Sequence, residues 1–218
     1  MCSVLAKNIR TMENQLIFIR IATLRDYKYV NEIIKETAAS ALVRGSGIAH
    51  RTPESIIQKM KEGRAVVAVT STEQWVGFAY YESWDNGRFI SNSGLIVAPE
   101  FRKLGVAKAI KERIFRLCRR AYPEAKIFSI TSGAAIMKMN SELGFKPVVY
   151  QDITQDEQFW EGCKQCVNYD ILSQKKRCNC LCTAMVFDPL EIANIVEKYQ
   201  PCSQPYSLST MKKRSVAF

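Results

Sequence analysis

The stretch "GLIVAPEFRKLGVAKAIKERI", Gly94 to Ile114, decides the fold. An apolar run ends at Pro99, a basic turn with one glycine follows, and an amphipathic helix begins at once. A helix N-terminus leaves its first backbone N–H groups without partners and carries the positive end of the helix dipole. Here those groups sit at the end of a strand and converge on one point, where a pyrophosphate fits. Gly105 permits close approach, Arg102 adds a fixed charge, and small Ala107 keeps the first turn open. Pro99 and the bulge-prone "SNSG" before the strand end predict that this strand diverges from a neighbour. Its free N–H and C=O groups can then pair with an extended, amide-bearing ligand as another strand would.

Outward from this stretch the pattern is equally readable. "LIFIRIA" (Leu16 to Ala22) alternates as a strand, and Tyr27, Val30, Ile33, Ile34 and Thr37 recur at helical spacing. Thr52, Pro53 and Glu54 form a helix start, ended by Gly63. "RAVVAVT", "WVGFAYYESW" and "RFISNSGLIV" read as three antiparallel strands, the last two joined by the turn "DNG". The helix from Gly105 to about Ala121 buries Val106, Ile110, Ile114, Leu117 and Cys118, with Lys108, Lys111, Glu112, Arg116 and Arg119 outside. "AKIFSIT", "GAAIMKMNSELGF", "FKPVVY" and "CTAMVF" add a strand, a helix and two last strands. The class is α/β in the broad sense, an α+β mixed sheet covered by helices.

With 218 residues, 47% of them hydrophobic, the chain can build a core. No apolar run reaches membrane-spanning length, and the N-terminus lacks a secretory signal, so a cytoplasmic protein with no membrane partner is expected. Its net charge of +10 favours anionic partners. The basic residues are scattered, and no aromatic-plus-basic module of a nucleic-acid binder is present, so nucleic acid is not the expected partner. A homodimer is compatible with the sequence.

"V-x-P-x-x-R-x-x-G-x-A" (Val97, Pro99, Arg102, Gly105, Ala107) resembles the acyl-CoA-binding motif of the GNAT superfamily of N-acetyltransferases. "AAIMKMNSELGF" resembles that family's second signature. The resemblance covers roughly residues 16–150 and implies a GNAT-like acyl-CoA N-acyltransferase fold. Residues 1–15 then form a leader, 151–189 a Cys-rich insertion with the last strand, and 190–218 a C-terminal helix with a flexible basic tail. The resemblance also implies acetyl-CoA, or another short acyl-CoA, as cosubstrate. Backbone groups of Ile96 and Val97 would bond the pantetheine amides, and N–H groups of Lys103, Leu104, Gly105, Val106 and Ala107 the pyrophosphate, with Arg102 beside it. Lys103, Lys108 or Lys111 would meet the 3′-phosphate, unless these lysines are merely solvated.

GNAT enzymes let a neutral amine attack the thioester directly, so a proton must leave the ammonium and another must reach the thiolate. Many members use a tyrosine for the second task, and that position is Asn140 here. Asparagine donates a hydrogen bond but supplies no proton at neutral pH. Ser141, Ser132, Tyr150 or water are substitutes. Glu82 is the candidate base, a surface glutamate being the alternative. The run "SGIAHRTPE" is similar to one in bacterial N-acetylglutamate synthases. Arg51, assisted by Arg44 and His50, could therefore pair with a substrate carboxylate. The expected reaction moves an acetyl or succinyl group to the α-amine of an amino acid, with glutamate and arginine biosynthesis the leading case. A GNAT acting on a protein lysine or other small amine is an alternative; so is a catalytically idle acyl-CoA-binding module.

The chain has eight cysteines, five of them between 163 and 182. Their spacing, C-x2-C then C-x-C-x-C, makes Cys163, Cys166, Cys180 and Cys182 a candidate tetrahedral quartet for structural zinc, with Cys178 the spare. Reduced cysteines near a core are the alternative.

Overall fold

The computed structural model describes residues 7–10, 15–43 and 51–191. One sheet of eight strands organises the molecule, in the order β1-β2-β3-β4-β5-β6-β8-β7. These are β1 (Lys7–Arg10), β2 (Leu16–Ile21), β3 (Ala65–Thr70), β4 (Trp75–Trp84), β5 (Phe89–Val97), β6 (Lys126–Thr131), β7 (Lys146–Val148) and β8 (Thr183–Phe187). The helices are α1 (Val30–Val43), α2 (Pro53–Lys61), α3 (Val106–Ala121), α4 (Ala134–Glu142), α5 (Glu157–Cys163) and α6 (Tyr169–Gln174). The strand and helix order read from residues 16–150 is reproduced. Lys7–Arg10, expected in a leader, instead pair antiparallel with β2. The basic tail and nearly all of the expected C-terminal helix lie outside the described residues.

Local chemistry explains the elements. β3 and most of β4 are apolar on both faces and buried on both, which suits central strands covered by helices. Thr52 caps α2 by accepting from the Ser55 N–H at 3.2 Å, and Gly63, at φ 68°, ends the turn beyond it. The stripe Val106, Ile110, Ile114 and Cys118 of α3 is buried against the sheet. Among the described residues, no helix is long and apolar enough to cross a membrane.

Among the described residues every strand pairing is antiparallel except β5 with β6. That parallel pairing holds at only three positions: Phe89 with Lys126, Ile90 with Ile127 and Ser91 with Phe128. Beyond Ser91 the two strands part. A bulge in β5 opens them, because Phe78 of β4 pairs with Ile96 while Tyr80 pairs with Ser93. Gly94 sits in the bulge at φ 68°. The divergence expected from "SNSG" and Pro99 is present.

Between β7 and β8 the chain makes an excursion through α5 and α6. It rests on a second small core of Phe128, Tyr150, Ile153, Trp160, Leu172, Ala184 and Val186. Asp156 caps α5 by accepting from the Gln158 N–H, and Trp160 is buried with its indole N–H bonded to the Thr154 carbonyl.

Candidate functional site

The wedge between β5 and β6 is a cavity of about 210 Å³, lined by Asn92 to Ile96 on one side and Ser129 to Gly133 on the other. Asn92 is buried there, and neither its amide nitrogen nor its oxygen has a hydrogen-bond partner. Such unpaired buried groups are costly unless something else satisfies them. At its outer end the wedge shares Leu95, Ile96 and Ile136 with a groove that reaches Arg102 and Ala107. The turn there follows a short 3₁₀ segment, Pro99–Phe101. Lys103 has φ 64° and Gly105 φ 80°, and Gly105 stands immediately before α3. A Cβ at Gly105 would meet nothing within 4 Å, so its left-handed backbone is what favours glycine here. None of the N–H groups from Lys103 to Lys108 bonds to a described backbone carbonyl. They form an open cluster of donors, and it includes the Lys103 to Ala107 groups named in the sequence reading.

Arg102 is not a free charge beside those donors. Its guanidinium bonds Glu36 at 2.5 Å and Ser40 at 2.9 Å, both on α1, and its Nε bonds the Val97 carbonyl at 3.1 Å. It braces the turn against α1. That leaves the Val97 carbonyl engaged by this chain and Ile96 lining the wedge.

At its inner end the wedge meets a second cavity, of about 400 Å³, and the two share Arg51, Ser93, Ile130 and Cys182. Its walls come from α2, β4, β5 and the α5–α6 excursion. Arg51 donates from Nε to the Tyr80 hydroxyl at 3.0 Å and lies over that ring, whereas its Nη1 is buried without a partner among the described residues. Glu82 lines the same cavity and is ion-paired with Lys59 at 2.7 Å. Arg44 and His50, expected to assist Arg51, lie outside the described residues.

No protein-family profile and no curated protein sequence matches the chain. Solved structures do. N-acetylglutamate synthase from Neisseria gonorrhoeae, solved with coenzyme A and N-acetylglutamate, superposes with a TM-score of 0.56 at 13% identity over 79% of this chain. The match spans only 35% of that synthase. A GNAT-family acetyltransferase from Listeria monocytogenes matches 65% of this chain and 92% of its own, at 16% identity and TM-score 0.51. The protein yncA from Salmonella typhimurium, solved with its cofactor acetyl-CoA, matches 79% and 94% at 15% identity and TM-score 0.52. The fold is that of the GNAT N-acetyltransferases.

Within the GNAT fold, the positions expected to handle the thiolate proton are altered. Asn140 is fully buried: its amide nitrogen approaches the Met185 sulfur at 3.5 Å and its oxygen has no partner. Ser141 is exposed and its hydroxyl donates to the Met137 carbonyl of its own helix. The expectation for Ser141 is corrected accordingly, since it faces solvent and lines neither cavity. Tyr150 lines the inner cavity, but its hydroxyl donates to the Cys182 carbonyl at 2.9 Å. Burial, then the neighbouring thiols, push the Tyr150 phenol up, away from proton transfer at neutral pH.

Lys111 is also corrected. Expected on the solvent face of α3, it is 2% exposed and lines the wedge. Lys108, by contrast, is exposed and bonds Glu142 at 2.5 Å, and Lys103 is exposed. Asn92 is missed by the sequence reading, and Lys111, expected there only near the 3′-phosphate, is missed as a buried residue of the wedge. The α3 stripe carried one signal for Lys111, which directly follows Ile110 and precedes Ile114 by three, at the edge of the apolar face.

Cys163, Cys166, Cys180 and Cys182 do converge, all four lining the inner cavity, while exposed Cys178 lies outside it. A zinc site does not follow. Among the described residues no three His, Cys, Asp or Glu side chains are grouped to hold a metal ion. One sulfur serves a local bond instead: Cys166 accepts from the Asn168 N–H at 3.4 Å. Burial first, then the neighbouring thiols, push Cys163 and Cys182 up to about 11, so both are thiols at neutral pH. The zinc expectation is corrected to a wall of reduced thiols facing the cavity.

Proposed function

We propose that this chain is an acyltransferase that moves an acetyl or succinyl group from acyl-CoA to the α-amine of a small amino acid, glutamate being the first candidate. The observation that carries the reading is Arg51. A guanidinium with one buried, unpaired Nη1 stands where the wedge and the inner cavity meet, and a carboxylate is the ligand that would satisfy it. Arg51 lines both cavities, so an α-carboxylate paired with it would bring its amine toward the wedge, where the thioester of a wedge-bound acyl-CoA would end.

In this reading the N–H groups of Lys103 to Lys108 hold the diphosphate, and the open edge of β5 at Leu95 and Ile96 pairs with the pantetheine amides. Asn92 offers its unpaired amide to the pantetheine or the thioester carbonyl. Glu82, ion-paired with Lys59, accepts the ammonium proton, directly or through a water. The inner cavity is sized for a small molecule rather than a protein segment. Among the described residues lining it, the Lys59–Glu82 pair cancels and Arg51 is the unbalanced charge, which suits an acidic acceptor better than a polyamine.

A screen of amines against acetyl-CoA and succinyl-CoA, following release of free thiol, tests the proposal. Turnover with glutamate or a close acidic amino acid, lost in Arg51→Ala and reduced in Glu82→Gln, is expected. Thiol release only with polyamines or lysine peptides would overturn the amino-acid reading.

A further inference from the structure

Lys111 has no role in the scheme above, yet it is among the largest fully buried side chains of the protein. It projects from the second turn of α3 into the space between α3, α4 and the wedge. It lines the wedge together with Asn92, Ser129 and Ser132, and lines a further small cavity with Met139, Glu142 and Leu143 of α4 and the turn after it. Its Nζ lies over the Phe145 ring, 5.3 Å from the centroid. Among the described residues it has no hydrogen bond and no ion pair. A buried ammonium with only a ring face for company is an expensive feature to keep for packing alone. A methionine would fill the same volume.

The wedge also lacks a proton donor where the GNAT fold usually has one. Asn140 is turned into the core toward Met185, and Ser141 faces solvent. Tyr150 is tied to the Cys182 carbonyl. Lys111 lies beside α4, the helix that carries Asn140, and shares a small cavity with Met139 and Glu142 of that helix.

We propose that the Lys111 ammonium is the proton donor to the thiolate released from acyl-CoA, taking the place of the missing tyrosine. The inference rests on the acyl-transfer reading above. The amine nitrogen forms a bond to the thioester carbon, and the tetrahedral adduct collapses with cleavage of the C–S bond. The electron pair stays on sulfur, which takes a proton from Nζ and leaves as a thiol. The proton lost by the nitrogen goes to Glu82 or water, and neutral Lys111 is reprotonated from solvent.

The charges around Nζ allow this. On α3, Cys118 is pushed up to about 12 by burial and stays neutral, Glu112 is bonded by Arg116 at 3.2 Å, and Lys108 is held by Glu142 of α4 at 2.5 Å. Across the wedge, Cys182 is a neutral thiol and Arg51 a fixed cation. Among the described residues no carboxylate pairs with the ammonium. Burial pushes Lys111 down to about 8, close to the range of an ordinary thiol, about 8.5. Proton transfer between groups of similar pKa proceeds readily in either direction. The donor is charged below about 8 and is lost as pH rises through that value.

The test uses free CoA bound to the full chain and the ultraviolet absorbance of its thiolate, which needs no knowledge of the acceptor. The thiol of CoA bound to the unaltered protein is expected to titrate about one unit lower than that bound to Lys111→Met. With a working acceptor, Lys111→Met is expected to lose about 100-fold in kcat and the alkaline fall in its pH profile, with KM for acyl-CoA little changed. If Lys111→Met does not fold, Lys111→Gln takes its place in both measurements, since it removes the ammonium and keeps a polar group in the wedge. CoA bound with an unshifted thiol, or turnover unaffected by Lys111→Met, overturns the inference and leaves acyl transfer standing. No binding of CoA by the unaltered protein overturns acyl transfer, and the inference with it.

Discussion

Arg51 and Tyr80 hold each other in place: Nε of the guanidinium donates to the phenol oxygen at 3.0 Å, and the guanidinium carbon lies 5.4 Å from the ring centroid. This fixes the orientation of the remaining nitrogens, and the buried Nη1 is left for a ligand. Tyr80→Phe keeps the ring and removes the acceptor oxygen, so the guanidinium loses its anchor but not its charge. The expected result is a rise of about tenfold in KM for a carboxylate-bearing acceptor with KM for acyl-CoA unchanged, and about 100-fold for Arg51→Gln. Steady-state kinetics with both substrates varied checks it, and equal effects on both KM values would count against the assignment.

Gly94 makes that pairing possible. It adopts φ 68° in the β5 bulge, and a Cβ there would stand 2.4 Å from the Tyr80 ring. Gly94→Ala thus combines a left-handed backbone with a clash against a buried aromatic, costing about 2–4 kcal/mol. Thermal melts should show the loss. KM for the acceptor should rise as well, since the ring must move and Arg51 with it. A variant as stable as the parent would show that the bulge tolerates a side chain.

The residues that were legible in advance are those whose meaning is local. Pro99, Gly105 and the stripe Val106, Ile110, Ile114 specify a strand end, a turn and a helix within one short run, and the structure has them there. The parting of β5 from β6 was signalled by the "SNSG" bulge, although its depth depends on a pairing across thirty-odd residues that no local pattern records. Lys111 reads as solvent-facing in the sequence because it sits on the border of the α3 stripe. What covers that border is Phe145, which only the packing of the chain after α4 brings over it. The helices α5 and α6 were missed for a related reason. They are short and polar, and each is anchored by one buried residue, Trp160 or Leu172, too few to set a period. The cysteine spacing correctly brought four thiols together, but spacing alone does not fix the directions of the sulfurs.

Trp160 makes the excursion part of the fold. Its ring is buried against Tyr150 and Phe159, and Arg177 lies over it at 5.5 Å. Trp160→Ala should cost about 3–5 kcal/mol. Because the lost contacts belong to the small core under α5 and α6, proteolysis should first cut between residues 155 and 180. Cleavage starting instead in the β2–β5 half would contradict this division of the core.

The Arg20–Asp26 pair sets an acid limit on stability. Both Asp26 oxygens accept from Arg20 at 2.7 Å, and one also accepts from the Thr23 N–H at 2.8 Å. Burial pushes the Asp26 carboxyl up, but these hydrogen bonds outweigh it and hold the group below its ordinary value. A depressed folded pKa adds stability above the unfolded value of about 3.9, and that stability is lost as pH falls through the folded value. Asp26→Asn should therefore melt lower than the parent at pH 7, by about 2 kcal/mol, and the gap should close below about pH 4. A gap independent of pH would mean that shape, not charge, matters at this site.

The thiol wall gives a chemical readout of the inner cavity. Cys163 and Cys182 are pushed up to about 11, by burial first and then by the neighbouring thiols. Only the thiolate is alkylated, so at neutral pH both should react slowly with iodoacetamide, the rate rising about tenfold per pH unit. An ordinary cysteine would level off near about pH 8.5, whereas these two should still be accelerating at about pH 10. Peptide mass spectrometry after timed labelling separates them from exposed Cys178. Since both line the cavity that Arg51 overlooks, a bound acceptor should slow them and leave Cys178 unaffected. Levelling near the ordinary value, or equal protection of all three, would place the thiols outside the acceptor cavity.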